Sequence, residues 1–446
     1  MPASLFGTDG VRGTPGEPPL DGPTLTRLGA ALATVASGHR GSARVFVGRD
    51  TRASGEWITG QLTSGLMSQG AQVDDGGVLS TPAVAFLTRD GGYDVGLVVS
   101  ASHNPFRDNG VKVLTATGEK ADKPLEERIT AAVEDETWLV SASKGTARSV
   151  TGVERYETHT SRLFAGVTIP PTFSVAIDCA HGATSKLAPR VMRRVGLNPV
   201  VICDTPTGDN INLDCGSTHP ERLAKTVVEQ GCWLGAAFDG DGDRVVFVDH
   251  RGGVVDGDAV LLIAARRLAA AGRLSGAGVA ATVMSNIGLE QALRARGVAL
   301  HRCDVGDRMV WAEMLRHGLV IGGEQSGHII LGDHLPTGDG VATALTIIRA
   351  VIESECELSE LAAELVPAPQ VVVNVPVRRR VPLDELPTVS RCVEAASTDL
   401  GPDGRVLVRY SGTEALLRIM VEGPTETHIR RLADTIAEAV RAEIGK

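Results

Sequence analysis

No apolar run in this 446-residue chain approaches the ~18 consecutive residues that a membrane-crossing helix needs, so no membrane span is expected. A basic excess is missing too. The 54 acidic residues outweigh 44 basic ones for a net charge of −10, which argues against generic attraction to nucleic acid or anionic lipid and leaves only local basic pockets. The seven cysteines (Cys179, Cys203, Cys215, Cys232, Cys303, Cys356 and Cys392) are odd in number and include no Cys-x-x-Cys pair. Reduced thiols are expected, with neither a disulfide framework nor a zinc site. The opening Met-Pro-Ala-Ser-Leu-Phe-Gly-Thr-Asp-Gly has neither the basic segment nor the apolar stretch of a secretory signal, so the expected compartment is the cytoplasm. No short-period repeat is visible.

What is present is alternation. The length corresponds to roughly three domains of ~150 residues. Strand-like runs at Ala43–Val47, Val95–Val99, Ser174–Ile177, Trp233–Ala237 and Val279–Val283 interleave with helical patterns. The helical stretches are Pro23–Ala36, Glu56–Ser68, Arg222–Glu229, Asp258–Ala271, Leu289–Arg296 and Val341–Glu353. This predicts α/β layers with helices covering sheet faces. Gly70, Gly231 and Gly297 fall just past helical patterns, where a left-handed cap is needed. Composition changes in the Ser/Thr/Gly-rich stretch Leu139–Arg155, near Asp249–Gly253 and after Leu365-Val-Pro-Ala-Pro369. Seams there predict units at 1–153, 154–254, 255–367 and 368–446. In the last unit Gln370–Val377 alternates as a strand, and a closing helix over Thr425–Ile444 places Ile429, Leu432, Ile436 and Val440 on one face.

The strongest chemical signal is Ser100-Ala-Ser-His-Asn-Pro-Phe-Arg-Asp-Asn-Gly-Val-Lys112. A buried-looking strand ends at Ser100, an Asn-Pro pair turns the chain, and Gly110-Val-Lys-Val-Leu114 resumes an extended pattern, so Ser102 is presented on a tight loop. A lone serine there would be an ordinary turn residue. His103, Asn104, Arg107, Asn109 and Lys112 crowd the same loop, which is costly unless they surround something charged. No Gly-x-Ser-x-Gly elbow surrounds Ser102, so its hydroxyl reads as a phosphoryl carrier and not as a hydrolase nucleophile.

A second loop, Phe238-Asp-Gly-Asp-Gly-Asp-Arg244, sets Asp239, Asp241 and Asp243 on one side of an extended segment, with glycines that let the backbone curl around an ion. An EF-hand fails here. Arg244 stands where glycine is needed, His250 where a bidentate glutamate is needed, and strands flank the loop. A solvated acidic turn is the plain alternative, but three mutually repelling carboxylates leading into Val245-Val-Phe-Val248 call for a cation. An all-carboxylate set favours Mg²⁺ over zinc. Gly322-Gly-Glu-Gln-Ser-Gly-His328, pinched between apolar strands, offers donors and acceptors suited to sugar hydroxyls. Arg409, Ser411, Gly412 and Thr413, with Arg418 on the following strand, form a candidate phosphate cradle.

Taken together, Phe6-Gly-Thr-Asp-Gly-Val-Arg-Gly13, the serine loop, the Asp-Gly-Asp-Gly-Asp-Arg loop, Gly323-Glu-Gln-Ser-Gly-His328 and Arg409-x-Ser-Gly-Thr-Glu414 resemble the α-D-phosphohexomutase family across essentially the whole chain, in the family's order and spacing. The Phe-Gly-Thr-Asp-Gly and Glu-Gln-Ser-Gly-His forms resemble its glucosamine branch more than its mannose and glucose branches. The resemblance implies an α/β fold: three tandem similar α/β domains with mixed sheets plus a smaller α+β C-terminal domain around a central cleft. It implies a phosphoserine at Ser102 and one Mg²⁺ held by Asp239, Asp241, Asp243 and a phosphate oxygen on Ser102. Glu324 and Ser326 would grip the sugar hydroxyls, and Arg409, Ser411, Thr413 and Arg418 the substrate phosphate. Lys112 and Arg12 would stand beside the transfer centre, and His103 and Arg244 would stabilise charge.

The implied reaction interconverts glucosamine 6-phosphate and glucosamine 1-phosphate through glucosamine 1,6-bisphosphate, feeding UDP-N-acetylglucosamine and cell-wall synthesis. The alternatives are mannose or glucose phosphates as substrates, a Mg²⁺-dependent sugar phosphatase, or a sugar-phosphate sensor. The implied partner is a small-molecule hexosamine phosphate, with room for a homodimer and no role for nucleic acid or membrane. Ala415 stands where proline is usual, and His181 where asparagine is common.

Overall fold

The computed structural model describes residues 5–7, 9–37, 42–135, 144–411 and 414–446. They divide into two compact units, one of Met1–Thr282 with His301–Ala363 and one of Val283–Leu300 with Glu364–Lys446. Among the described residues no helix is long and apolar enough to cross a membrane.

The larger unit holds mixed sheets, as the alternation predicts. The first runs Val11–Gly13, Asn109–Thr115, Val95–Val99, Arg44–Arg49, Gln72–Val78, Thr146–Ser149. Its central strand Val95–Val99 is buried along its whole length, which explains the unbroken Val-Gly-Leu-Val-Val run: with both faces covered, no position has to be polar. Arg44–Arg49 runs parallel to it and Asn109–Thr115 antiparallel, so the turn at residues 100–108 reverses the chain between sheet neighbours. The second sheet is ordered Val254–Val255, Val245–Asp249, Leu234–Phe238, Val175–Asp178, Val200–Ile202. Here Leu234–Phe238 pairs antiparallel with Val245–Asp249, which makes the acidic loop the turn of a hairpin. A third sheet sets Gly278–Thr282 parallel to Ile321–Gly323, which pairs antiparallel with Ile329–Leu331. Three of the chemistry-bearing loops are thus strand-to-antiparallel-strand turns at sheet ends.

Helices Gly22–Ser37 and Gly55–Ser68 show how close packing dictates residue choice. A Cβ at Gly65 would lie 1.9 Å from the carbonyl oxygen of Thr26, and one at Gly29 2.2 Å from that of Leu62. Only glycine lets the two helices approach this closely. A Cβ at Gly60, on the same helix as Gly65, would meet no atom within 4 Å. We therefore expect Gly65→Ala to destabilise the protein by about 2 kcal/mol or more. Gly60→Ala should instead stabilise it by about 0.5–1 kcal/mol by narrowing the unfolded ensemble and favouring helix. Denaturant midpoints of the two variants, moving in opposite directions, check the pair.

The smaller unit pairs Leu416–Glu422 antiparallel with both Gln370–Pro376 and Arg405–Tyr410. Helices Pro387–Leu400 and Glu426–Ile444 supply Val389, Leu400, Ile429, Ile436 and Val440 to its core, and the predicted face of the closing helix is the buried one. Residues 283–300 join this unit through Arg405. Its guanidinium donates to the carbonyls of Val283 and Ser285 at 2.9 and 3.0 Å while pairing with the buried Glu422 at 2.8 Å. The predicted caps are left-handed as expected: Gly70, Gly231 and Gly297 have φ of 85°, 62° and 70°.

Candidate functional site

Ser102 sits at the head of its turn with φ 52°, a left-handed conformation that a side-chain-bearing residue holds only when its surroundings over-determine it. The surroundings do so. Its N–H donates to Ser100 Oγ at 2.8 Å, and its carbonyl accepts from Arg52 and from Asn212 Nδ2, both at 2.9 Å. Ser100 Oγ in turn donates to Asp50 at 2.6 Å, and Asp50 forms a fully buried ion pair with Arg52 at 2.9 Å. The same guanidinium donates to the carbonyls of Asn104 and Asp108 at 2.8 and 3.0 Å. Arg52 is thus the internal scaffold of the serine loop. Nothing in the loop's own residues announces it. The available signal was Gly48-Arg-Asp-Thr-Arg52, a cluster of charge placed directly after the apolar strand Val45-Phe-Val47.

The Ser102 hydroxyl donates to Asp239 Oδ2 at 2.6 Å, which joins the two predicted loops directly. Asp239, Asp241 and Asp243 are all buried, with one carboxylate oxygen of each lying within 4.8 Å of the others. Lys112, 1% exposed, lies 2.7 Å from Asp241, 3.1 Å from Asp243 and 3.3 Å from Asp9. Thr81 Oγ1 donates to Asp241 at 2.5 Å. Burial, then the charges of Asp241 and Asp243, push the Asp239 carboxyl well above its usual range. The same burial acts on the other two, but Lys112 turns the balance, and both Asp241 and Asp243 fall below the usual range. Burial opposes the charge on Lys112, yet the three carboxylates around it raise its ammonium well above the ordinary value. Lys112 is therefore a fixed cation.

Even with Lys112 in place, Asp241 Oδ1 and Asp243 Oδ1 are buried and accept no hydrogen bond. Two buried anionic oxygens that accept no hydrogen bond, beside a hydroxyl on an oxygen-only donor set, fit a hard divalent cation such as Mg²⁺. Glycine shapes the turn: Gly242 has φ 72°, and a Cβ at Gly240 would sit 2.6 Å from the Ser102 carbonyl oxygen.

The remaining predicted residues divide. Arg244 is partly exposed, 3.9 Å from Asp243, and its Nε has no hydrogen-bond partner. His103 Nδ1 lies 3.4 Å from Ser102 Oγ, and desolvation followed by the Arg244 charge lowers its imidazole below the usual range. Arg12 pairs with Asp9 at 2.6 Å, so it reaches the cluster through the carboxylate it shares with Lys112. Asn104 and Asn109 bond to Asp108 and Ser54, and they build the loop without facing the cluster.

Gly327 lies against the acidic hairpin, its carbonyl accepting from Val245 N–H at 3.1 Å, which brings the Glu324 loop beside the carboxylates. Glu324 and Ser326 are accessible, with Glu324 Oε1 accepting from Gly306 N–H at 3.0 Å. His328 is turned the other way. It is 2% exposed, accepts from Gly338 N–H at 3.0 Å and points Nδ1 at Asp243, 3.6 Å away, so it belongs to the carboxylate cluster and not to a set of groups open to a sugar. Asp9, Thr81 and Lys120 join the cluster unpredicted; Lys120 binds Asp9 at 2.7 Å and also pairs with Asp307.

In the smaller unit Arg409 and Arg418 are directly opposed on adjacent strands. Like charges at that register repel unless an anion lies between them, and Arg418 Nε is buried without a hydrogen-bond partner. Ser411 is buried beside them in sequence, its Oγ accepting from Glu414 N–H at 3.3 Å. Thr413 lies outside the described residues.

Known proteins share this order of domains. Domain profiles described as phosphoglucomutase/phosphomannomutase match in order: alpha/beta/alpha domain I at residues 3–139, domain II at 157–253, domain III at 256–368 and the C-terminal domain at 372–439. A phosphoglucosamine mutase of Solibacter usitatus is 44% identical over 450 residues, covering 100% of both chains. One from Moorella thermoacetica is 46% identical over 439 residues, covering 96% of this chain and 97% of its own. A crystal structure of a phosphoglucomutase/phosphomannomutase family protein from Burkholderia thailandensis superposes with a TM-score of 0.81 at 23% identity, covering 99% of each chain.

Proposed function

We propose that this chain, which belongs to the phosphoglucomutase/phosphomannomutase family, is an isomerase that interconverts glucosamine 6-phosphate and glucosamine 1-phosphate by lending and recovering a phosphoryl group at Ser102. The name carried by full-length relatives above 40% identity supports the sugar. The contact between Ser102 Oγ and Asp239, at the edge of a carboxylate cluster with two buried oxygens that accept no hydrogen bond, supports the carrier.

Asp239, Asp241 and Asp243 would hold Mg²⁺, which when bound neutralises phosphate oxygens and draws charge from the phosphorus. The protein's own part is placement. The loop scaffolded by Arg52 fixes Ser102 so that the Oγ–P bond lines up with an incoming sugar hydroxyl. That bond breaks as the new O–P bond forms, leaving Ser102 as an alkoxide that takes up a proton while the sugar hydroxyl gives one up. Lys112, held protonated by three carboxylates, serves as a charge stabiliser and not as a base. His103, kept neutral and 3.4 Å from Ser102 Oγ, is placed to accept a proton. Arg244 adds a cation on the exposed side. Glu324 and Ser326 bond sugar hydroxyls, and Arg409, Ser411, Thr413 and Arg418 take the phosphate that is not reacting. The intermediate, glucosamine 1,6-bisphosphate, turns so that its other phosphate meets Ser102, and it serves equally to charge a dephosphorylated chain. The expected compartment remains the cytoplasm, where the sugar phosphates are.

Intact-protein mass spectrometry tests this reading. Incubation with glucosamine 1,6-bisphosphate should add one phosphoryl group per chain, mapped to Ser102, and glucosamine 6-phosphate should then be isomerised in preference to mannose and glucose 6-phosphates. Release of inorganic phosphate without isomerisation would instead identify a phosphatase.

A further inference from the structure

The cysteine spacing that argues against a zinc site along the chain conceals a cluster that forms only on folding. His181 follows the strand Val175–Asp178, Cys203 follows the strand Val200–Ile202, and Cys215 lies in the loop beyond. Each offers one ligand atom, and the three atoms lie within 4.8 Å of one another. Cys203 and Cys215 are 6% and 0% exposed, while His181 is half-buried. His181 Nδ1 is itself buried and has no hydrogen-bond partner. A buried ring nitrogen without a partner is costly and rare, and two thiols beside it are poor substitutes for one.

The backbone is bent to bring these groups together. His181 and Cys203 both adopt left-handed φ values, 49° and 52°, and the His181 N–H donates to the Cys203 carbonyl at 2.6 Å. Asn212 and Asp214, just ahead of Cys215, are left-handed too, at 59° and 51°. Strain concentrated at one place in several non-glycine residues is characteristic of functional sites.

We propose that His181, Cys203 and Cys215 form a binding site for a soft divalent transition-metal ion of the Zn²⁺ class, with two thiolates and one imidazole nitrogen as protein ligands and a fourth position for water. Binding displaces one proton from each thiol, so two protons leave for every ion that enters, and the site's net charge is unchanged. Its preference is opposite to that of the Asp239–Asp243 loop, which presents only hard oxygen donors.

The two places are mechanically joined. The His181 carbonyl accepts from Thr51 Oγ1 at 2.6 Å, Ala183 N–H donates to the Gly240 carbonyl at 2.8 Å, and Asn212 bonds both Ala180 and, through Nδ2, Ser102. An ion at the thiols therefore braces the frame on which the serine and acidic loops rest. Its effect falls on stability and not on the chemical step.

The test uses the full-length protein, with thiols reduced and excess Mg²⁺ to occupy oxygen-donor sites. Titration with Co²⁺ should produce a thiolate-to-cobalt charge-transfer band that saturates at one ion per chain and disappears when Zn²⁺ is added. Zn²⁺ should also raise Tm. His181→Asn and Cys215→Ser should each weaken Zn²⁺ binding by at least about tenfold and remove the Tm rise. Failure of the wild type to give the band overturns the proposal, and that measurement does not depend on either variant folding. A band that survives both substitutions in folded protein overturns it as well.

Discussion

Ser102→Ala is expected to remove isomerase activity, by on the order of 10⁴-fold or more, because the proposed exchange runs through the Ser102 Oγ–P bond and loss of a covalent nucleophile is rarely compensated. The fold should survive. The contacts that build the turn are made by the backbone of residue 102, its N–H to Ser100 and its carbonyl to Arg52 and Asn212, and alanine keeps all three. The left-handed φ of 52° is no worse for alanine than for serine. What is lost is one hydrogen bond to Asp239, whose carboxyl is already pushed toward its protonated form by burial and by its neighbours, so the cost should be about 1 kcal/mol. Sugar phosphate binding should persist, since the residues proposed to hold the sugar and its phosphate are untouched. The decisive comparison is between turnover and mass. The alanine chain should show a near-normal melting transition, no isomerisation, and no phosphoryl gain on incubation with glucosamine 1,6-bisphosphate. Near-normal turnover would overturn the carrier role.

How much of this was legible in the chain depended on whether the signal was local. Strands such as Val95–Val99 and helices such as Gly22–Ser37 announce themselves by runs and periods that need no partner. Loops announce themselves when an expensive composition interrupts a strand, and Ser102, Lys112 and the three aspartates were found this way. Residues that act across the fold were not. Asp50 and Arg52 hold the serine loop from about fifty positions upstream, and no period or motif links the two stretches. Asp9 lies within the Phe6–Gly13 motif, but neither it nor Lys120 shows locally what it meets, because only the fold sets them beside Lys112 and its carboxylates. His328 shows the converse limit: its loop is conspicuous in the sequence, but only the fold shows that His328 turns toward Asp243 while Glu324 and Ser326 stay accessible. The cysteines follow the same rule, since Cys203 and Cys215 meet His181 through strand order and not through spacing.

Asp241→Asn is the second change with a large expected effect, and its sign differs with and without metal. In the ion-free protein Asp241 is one of two buried carboxylates paired with Lys112, and its Oδ1 has no hydrogen-bond partner. Asparagine removes a charge from a crowded anionic cluster and keeps an oxygen for Thr81 and Lys112, while Lys112 retains Asp243 and Asp9. Ion-free stability should therefore change little, within about 1 kcal/mol, as lost attraction to Lys112 offsets relieved repulsion. Mg²⁺ has the opposite consequence. An ion that binds only the folded state stabilises it by RT ln(1 + [Mg²⁺]/Kd), so wild-type Tm should climb with added Mg²⁺. With one of three anionic ligands neutralised, that climb should move to much higher concentrations, and turnover should fall by roughly 10³-fold, the scale seen when a single preorganised charge is removed from a transition state. Removing Mg²⁺ from the wild type with a chelator should reproduce the variant's loss of activity without substitution. If the asparagine chain keeps both the wild-type Mg²⁺ midpoint and its Tm response, the ion is held elsewhere and the aspartate loop has a purely structural part.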